Sequence, residues 1–151
     1  MSEIILRFLN TDTFIGRAID EVTWGSGGVF SHVELCVDDG YLGAQAPNGV
    51  RLRPKHYCEP TTEVFCRIEV PDDVHSAIMD FAHAQIGRGY NFSAVAGVLL
   101  HADISESNSW DCAQFVGYAF AQAGFPLLRT TEFNRLTPSV LSLSPYLVVV
   151  E

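Results

Sequence analysis

The sequence is poor in basic residues. Nine Lys and Arg stand against eighteen Asp and Glu, for a net charge of −9 over 151 residues. Phosphate binding and docking on anionic membranes are both driven by Lys and Arg, so nucleic acid and charged lipid surfaces are not expected partners. Long apolar runs are missing too. "SAVAGVLL" is far shorter than the roughly 18 residues that a membrane span needs. The opening "MSEIILRFLN" carries an acid, Glu3, and fits neither a signal peptide nor a span. The expected location is therefore cytoplasmic. Cysteines are few, at positions 36, 58, 66 and 112, and in an unexported protein they are expected to be free thiols. Repeats, low-complexity tracts and dense acidic runs are absent. What remains is an ordinary globular composition, 48% hydrophobic and 18% charged, read as one domain over 1–151.

The order of elements predicts an α+β domain with an antiparallel sheet or small barrel packed against helices. Residues 3–9 read as a strand, 12–23 as a short helix capped by Thr11 or Asp12, and "GSGG" at 25–28 as a break. Strands follow from residue 30 to 54, with turns at "DDG" and "PNG", and another at 63–70. "PDDVHSAIMDFAHAQIG" changes to helical period. Val74, Ala77, Ile78, Phe81, Ala82 and Ile86 form its apolar stripe, with Asp72 or Asp73 as cap and Gly87 as stop. Further helices are expected at 91–100, from Cys112 to Gly124, and after Thr137, with Pro138 at the first helical position. "YLVVV" closes the chain as a strand.

Cys112 stands at the head of an apolar helical stripe made by Phe115, Val116, Ala119, Phe120 and Ala123. Two readings follow. A free cysteine is among the most buried residue types, so it serves as a small core side chain. Alternatively, the unpaired N–H groups of a first helical turn favour a thiolate and an oxyanion, which suits a nucleophile. The polar "HADISESNSWD" before it reads as an exposed loop. A nucleophilic cysteine needs a base. His75 and His83 lie on a helix face that looks solvated, and His101 precedes the polar loop. His56 with Cys58 and Cys66 lacks the paired spacing of a structural zinc site, so neither metal nor cofactor is expected. His32 opens the strand "SHVELCV". Alternation places His32, Glu34 and Cys36 on one face and Val33, Leu35 and Val37 on the other. The plain reading of that polar face is a solvent-facing side of the sheet.

"SHVELCVDDGYLGAQAPNGV" resembles the histidine hairpin of the NlpC-type cysteine peptidases and of the related lecithin:retinol acyltransferase group. "QIGRGYNF" and "WDCAQFV" resemble their cysteine half. Here the histidine half comes first. That order is similar to the circularly permuted, YiiX-like papain-like amidases, in a branch met in phages and prophages. The resemblance runs from about Trp24 to Pro145. It implies a permuted papain-like fold with Cys112 as nucleophile and His32 as base, and a peptide- or acyl-containing small substrate. Relatives place a polar residue on the next strand to orient the histidine. An ungapped count puts that position on Ala44, and one extra turn residue puts it on Gln45. Glu34, where many relatives are small, is the other candidate. Tyr90 stands farther from the cysteine in sequence than its family counterpart. Three functions fit: a cysteine amidase or peptidase, an example being one acting on cell-wall peptides; a lipid-type acyltransferase or thioesterase; and a non-catalytic binding or structural protein, such as a virion component, with a degraded site.

Overall fold

In "EIILRFLN" a continuous apolar run is broken by a single arginine, and this stretch lies inside the sheet with a strand on either side. The computed structural model describes residues 1–11, 30–92 and 109–150, and elements are numbered within them. β1 (Ser2–Asn10) pairs antiparallel with β2 (His32–Val37) on one side and with β5 (Thr62–Val70) on the other. β3 (Gly40–Gln45) and β4 (Gly49–Pro54) extend the sheet past β2. β8 (Val148–Val149) returns to flank β5, giving six strands in the order β4-β3-β2-β1-β5-β8. Among the described residues this is an open sheet with β4 and β8 at its edges, so the barrel alternative is not realised.

Register sorts the side chains into two sets. Phe8 faces Val33, Leu6 faces Leu35 and Cys66, Leu35 faces Leu42, and Ala44 faces Val50. These residues form the apolar core. The alternate set brings Arg7 opposite Glu34, Leu9 opposite His32, and Tyr41 opposite Cys36. Edge strand β4 is partly covered: the Gly87 N–H donates to the Val50 carbonyl and the Val50 N–H to the Arg88 carbonyl, both at 2.9 Å. That approach requires glycine at position 49, where φ is +75° and a Cβ would fall 1.9 Å from the Arg88 oxygen.

α1 (Asp72–Ala84) buries Ile78 and Ala82, with Val74 and Phe81 half-buried. Ala77 and Ile86 are exposed, so the stripe is narrower than the spacing predicts. Neither Asp72 nor Asp73 caps it. Pro71 holds the cap position, and the Asp72 carboxylate instead accepts a bond from the Ser2 hydroxyl at 2.8 Å. α2 (Cys112–Gln122) packs against β2, β3 and α1. α3 (Pro138–Leu141) starts as expected, with the Thr137 hydroxyl accepting the Val140 N–H. Its Ser139 hydroxyl accepts the Phe30 N–H at 3.1 Å and donates to the Phe30 carbonyl at 3.2 Å, which pins the chain two residues before His32.

The expected helix at 12–23, the break at 25–28 and nearly all of the helix at 91–100 lie outside the described residues. The end of the expected polar loop is a strand. β7 (Ser109–Trp110) pairs in parallel with β6 (Gly89–Tyr90). Trp110 explains the difference: its ring packs 5.2 Å from Tyr118 and 5.8 Å from Phe81, and its N–H donates to the Gln85 side chain. No helix among the described residues is long and apolar enough to cross a membrane.

Candidate active site

The chain turns into α2 at Asp111, whose carboxylate accepts the Gln114 N–H at 2.8 Å while the Gln114 side chain accepts the Asp111 N–H. This is a capping box, two backbone donors satisfied reciprocally. Asn91 braces it by donating to the Gln114 side-chain oxygen at 3.2 Å. Asp111 also takes the Ala113 N–H. The Cys112 N–H has no hydrogen-bond partner among the described residues. Of the first-turn donors expected for an oxyanion, two are therefore occupied, and the N–H of Cys112 itself remains. Burial pushes the Asp111 carboxyl up to about 7, against the opposing pull of the two N–H bonds. Behind Cys112, Phe115, Val116, Ala119 and Phe120 are fully buried. The stripe is core, as its spacing predicts, and it seats Cys112 against the His32 strand.

The thiol of Cys112 lies near enough to act on the His32 ring. His32 Nε2 lies 3.2 Å from Glu34 Oε2. The residue is 8% exposed. Burial alone lowers a histidine pKa. Here the nearby thiol of Cys112, with the bond to Glu34 and its charge, outweighs it and pushes His32 up to about 9.

Glu34 is the hub of the site and is 0% exposed. Oε2 accepts from the Tyr57 hydroxyl at 2.9 Å as well as meeting His32, and Oε1 accepts from Arg7 Nη1 at 2.9 Å. Burial works against the carboxylate, but His32, Tyr57 and Arg7 together hold its pKa below the usual range. Arg7 also pairs with Glu63 through Nε, and its guanidinium lies 4.2 Å over the Tyr41 ring. The polar side of β2 is thus not the solvent-facing surface that alternation suggests. Arg7 across the ladder and Tyr57 from the turn after β4 cover it and supply the donors that a buried carboxylate requires.

The sequence candidates separate cleanly. Cys112, His32 and Glu34 come together. Ala44 is buried in the core opposite Val50. Continuing the β2–β3 register from Leu35–Leu42 sets Gly43 across from Glu34 and Gln45 across from His32. Gln45 therefore shares the His32 face, but among the described residues no hydrogen bond joins the two. Tyr90 is buried, and pairing of β6 with β7 brings it level with Trp110 despite its distance in sequence. Burial first, then the charges of Cys112 and Asp111, raise its pKa. His83 bonds its own helix through the Met79 carbonyl, and Cys66 is core. No group of three metal-ligating side chains is gathered among the described residues.

Sequence reasoning missed four participants. Asp111 and Gln114 carry a readable signal, the Asp-x-x-Gln of a capping box before an apolar run. Arg7 carries a weaker one, a lone charge in an apolar strand. Tyr57 carries none, because its contact with Glu34 depends on how the β3–β4 hairpin folds over. The chain matches none of the known protein-family models and none of the curated proteins with which it was compared.

Proposed function

We propose that the protein is a cysteine hydrolase that cleaves an amide bond through an acyl-enzyme on Cys112, with the histidine-first arrangement of the permuted papain-like amidases. The observation that carries this reading is the buried His32, 3.2 Å from the Glu34 carboxylate, with the thiol of Cys112 at the head of α2 near enough to act on its ring. A nucleophile, a base beside it and a group orienting the base are the parts that covalent catalysis needs.

The chemistry follows from those parts. His32 holds the proton that leaves Cys112 as a thiolate. The thiolate attacks the substrate carbonyl, and the Cys112 N–H stabilises the oxygen as it gains charge. His32 then gives its proton to the amine as the C–N bond breaks, leaving a thioester. Water, deprotonated by His32, attacks the thioester and restores the thiol. The net charge of −9 favours a neutral or cationic substrate over an anionic one. Peptide amides, including those of cell-wall peptides, are the class to test first. A degraded, non-catalytic site is the alternative that Ala44 suggests, and the buried Glu34 carboxylate 3.2 Å from His32 favours the hydrolase over it.

The test is incubation with a panel of acyl-peptide amides, with released amine as readout. Cys112→Ala is expected to abolish release while keeping the wild-type melting temperature. Release at the wild-type rate by Cys112→Ala would overturn the proposal.

A further inference from the structure

A carboxylate removed from water does not hold one orientation on its own. Glu34 is fully buried, and one of its oxygens must serve His32 while the other is kept from turning toward it. Two residues far apart in sequence do this. Arg7 claims Oε1 from β1, and Tyr57 shares Oε2 with His32 from the turn after β4. Each is itself held. The Arg7 guanidinium lies on the Tyr41 ring and pairs with Glu63 on β5. The turn carrying Tyr57 is braced by Arg53, which donates to the Gly43 carbonyl at 2.9 Å and the Gly49 carbonyl at 3.1 Å and lies 5.8 Å from the Tyr57 ring. Gly43 completes the enclosure, since a Cβ there would lie 2.9 Å from the Glu34 Cβ.

We infer that Arg7 and Tyr57 are positioning residues that fix the Glu34 carboxylate and, through it, the orientation and charge of His32 toward Cys112; this inference rests on the cysteine-hydrolase reading. The charges that act on Glu34 alternate outward from it. His32 and Arg7 are cations on either side. Glu63 balances Arg7, and the thiol of Cys112 faces His32. Cys36 on β2, Cys58 beside Arg7, Tyr41 on β3 and Arg53 on β4 also face Glu34, and Tyr90 and Asp111 lie toward Cys112. Removing the Tyr57 hydroxyl frees Oε2 to turn away from His32, so the contact that favours the charged ring is made less of the time.

The experiment follows the His32 ring by nitrogen-15 NMR as a function of pH, and the alkylation rate of Cys112 at pH 7, in wild type, Tyr57→Phe, Arg7→Met and Arg7→Lys. Charge-assisted hydrogen bonds are the strong ones, so Tyr57→Phe is expected to lower the His32 midpoint and slow Cys112 roughly three- to tenfold. Arg7→Met is expected to do more, and Arg7→Lys to recover part of the loss, because it keeps the charge without the fork. Melting temperatures identify any variant that fails to fold, and Tyr57 is half-buried in a turn, where loss of a hydroxyl is tolerated. A folded Tyr57→Phe with an unchanged His32 midpoint and an unchanged Cys112 rate overturns the inference and leaves the hydrolase reading standing. The opposite pattern is a wild-type Cys112 no faster than Cys36, with His32 still shifting in the variants. It sinks the hydrolase reading and leaves the bonding chain in place.

Discussion

Replacing Glu34 by Gln removes one charge and almost no volume from the centre of the site. The amide oxygen can still accept either the two bonds made to Oε2, from His32 and Tyr57, or the one made to Oε1, from Arg7, and its NH2 accepts none. Breaking a buried ion pair costs about 3–5 kcal/mol, and because Glu63 still pairs with Arg7, a loss near 3 kcal/mol is expected. The larger effect falls on His32. An opposite charge within a few ångströms shifts a pKa by roughly 1–3 units. The Glu34→Gln midpoint should therefore fall by that amount from about 9. At pH 7 the wild-type ring is charged by about 100 to 1, and the variant ratio is about ten- to a thousandfold lower. Burial and the charge of Glu34 together push the Cys36 thiol up to about 12, so Cys36 should become more reactive in the same variant. The assay is site-resolved iodoacetamide labelling by mass spectrometry from pH 5 to 9. The expected signature is opposite movement, with Cys112 slower by about tenfold or more and Cys36 faster. Simple loosening of the fold would speed both. A folded Glu34→Gln variant with an unchanged Cys112 rate would refute the assignment of Glu34.

Gln45→Ala, by contrast, should change Cys112 alkylation by less than about threefold, since no bond joins Gln45 to His32 among the described residues. Gly43→Ala should cost about 1–3 kcal/mol and slow Cys112, because the added methyl displaces Glu34 at its Cβ; chemical denaturation and labelling read the two effects. Asp111→Asn keeps the cap but removes the titration. Because the folded carboxyl is raised from 3.8 to about 7, the native state holds the proton longer, and wild type loses stability relative to the variant as pH rises through that window. The loss is about 4 kcal/mol, from roughly 3 units at 1.36 kcal/mol each, measured as the difference between two stability curves. The raised His32 pKa has the same sign: its contribution is complete below 6.5 and is lost as pH climbs toward about 9. Glu34→Gln should flatten that fall in wild-type stability.

Much of the sheet was legible because strand alternation and turn chemistry are local. "DDG" and "PNG" mark the turns joining β2, β3 and β4, and the Thr137–Pro138 start of α3 reads directly. The apolar spacing after Cys112 likewise predicts α2 and its buried stripe. What local pattern could not supply was the far side of a contact. The His32–Glu34 face looks solvent-exposed from β2 alone, because its covers, Arg7 and Tyr57, lie in other strands and turns. The same holds for the choice between Glu34 and Gln45. Both sit on the His32 face, and only side-chain reach tells them apart. Tyr90 looked remote because distance was counted along the chain, whereas the β6–β7 pairing sets it beside Trp110.

The central claim is that Cys112 is an activated nucleophile and not a core thiol. The most direct test is the set of alkylation rates of all four cysteines in the folded wild-type protein at pH 7. Cys112 is 3% exposed, less than Cys36 and Cys58, which are both half-buried. If accessibility alone governed reaction, Cys112 and Cys66 would be slowest. Cys112, beside a charged His32, is expected to react faster than the other three. Rates that simply follow exposure, with Cys112 among the slowest, would contradict it.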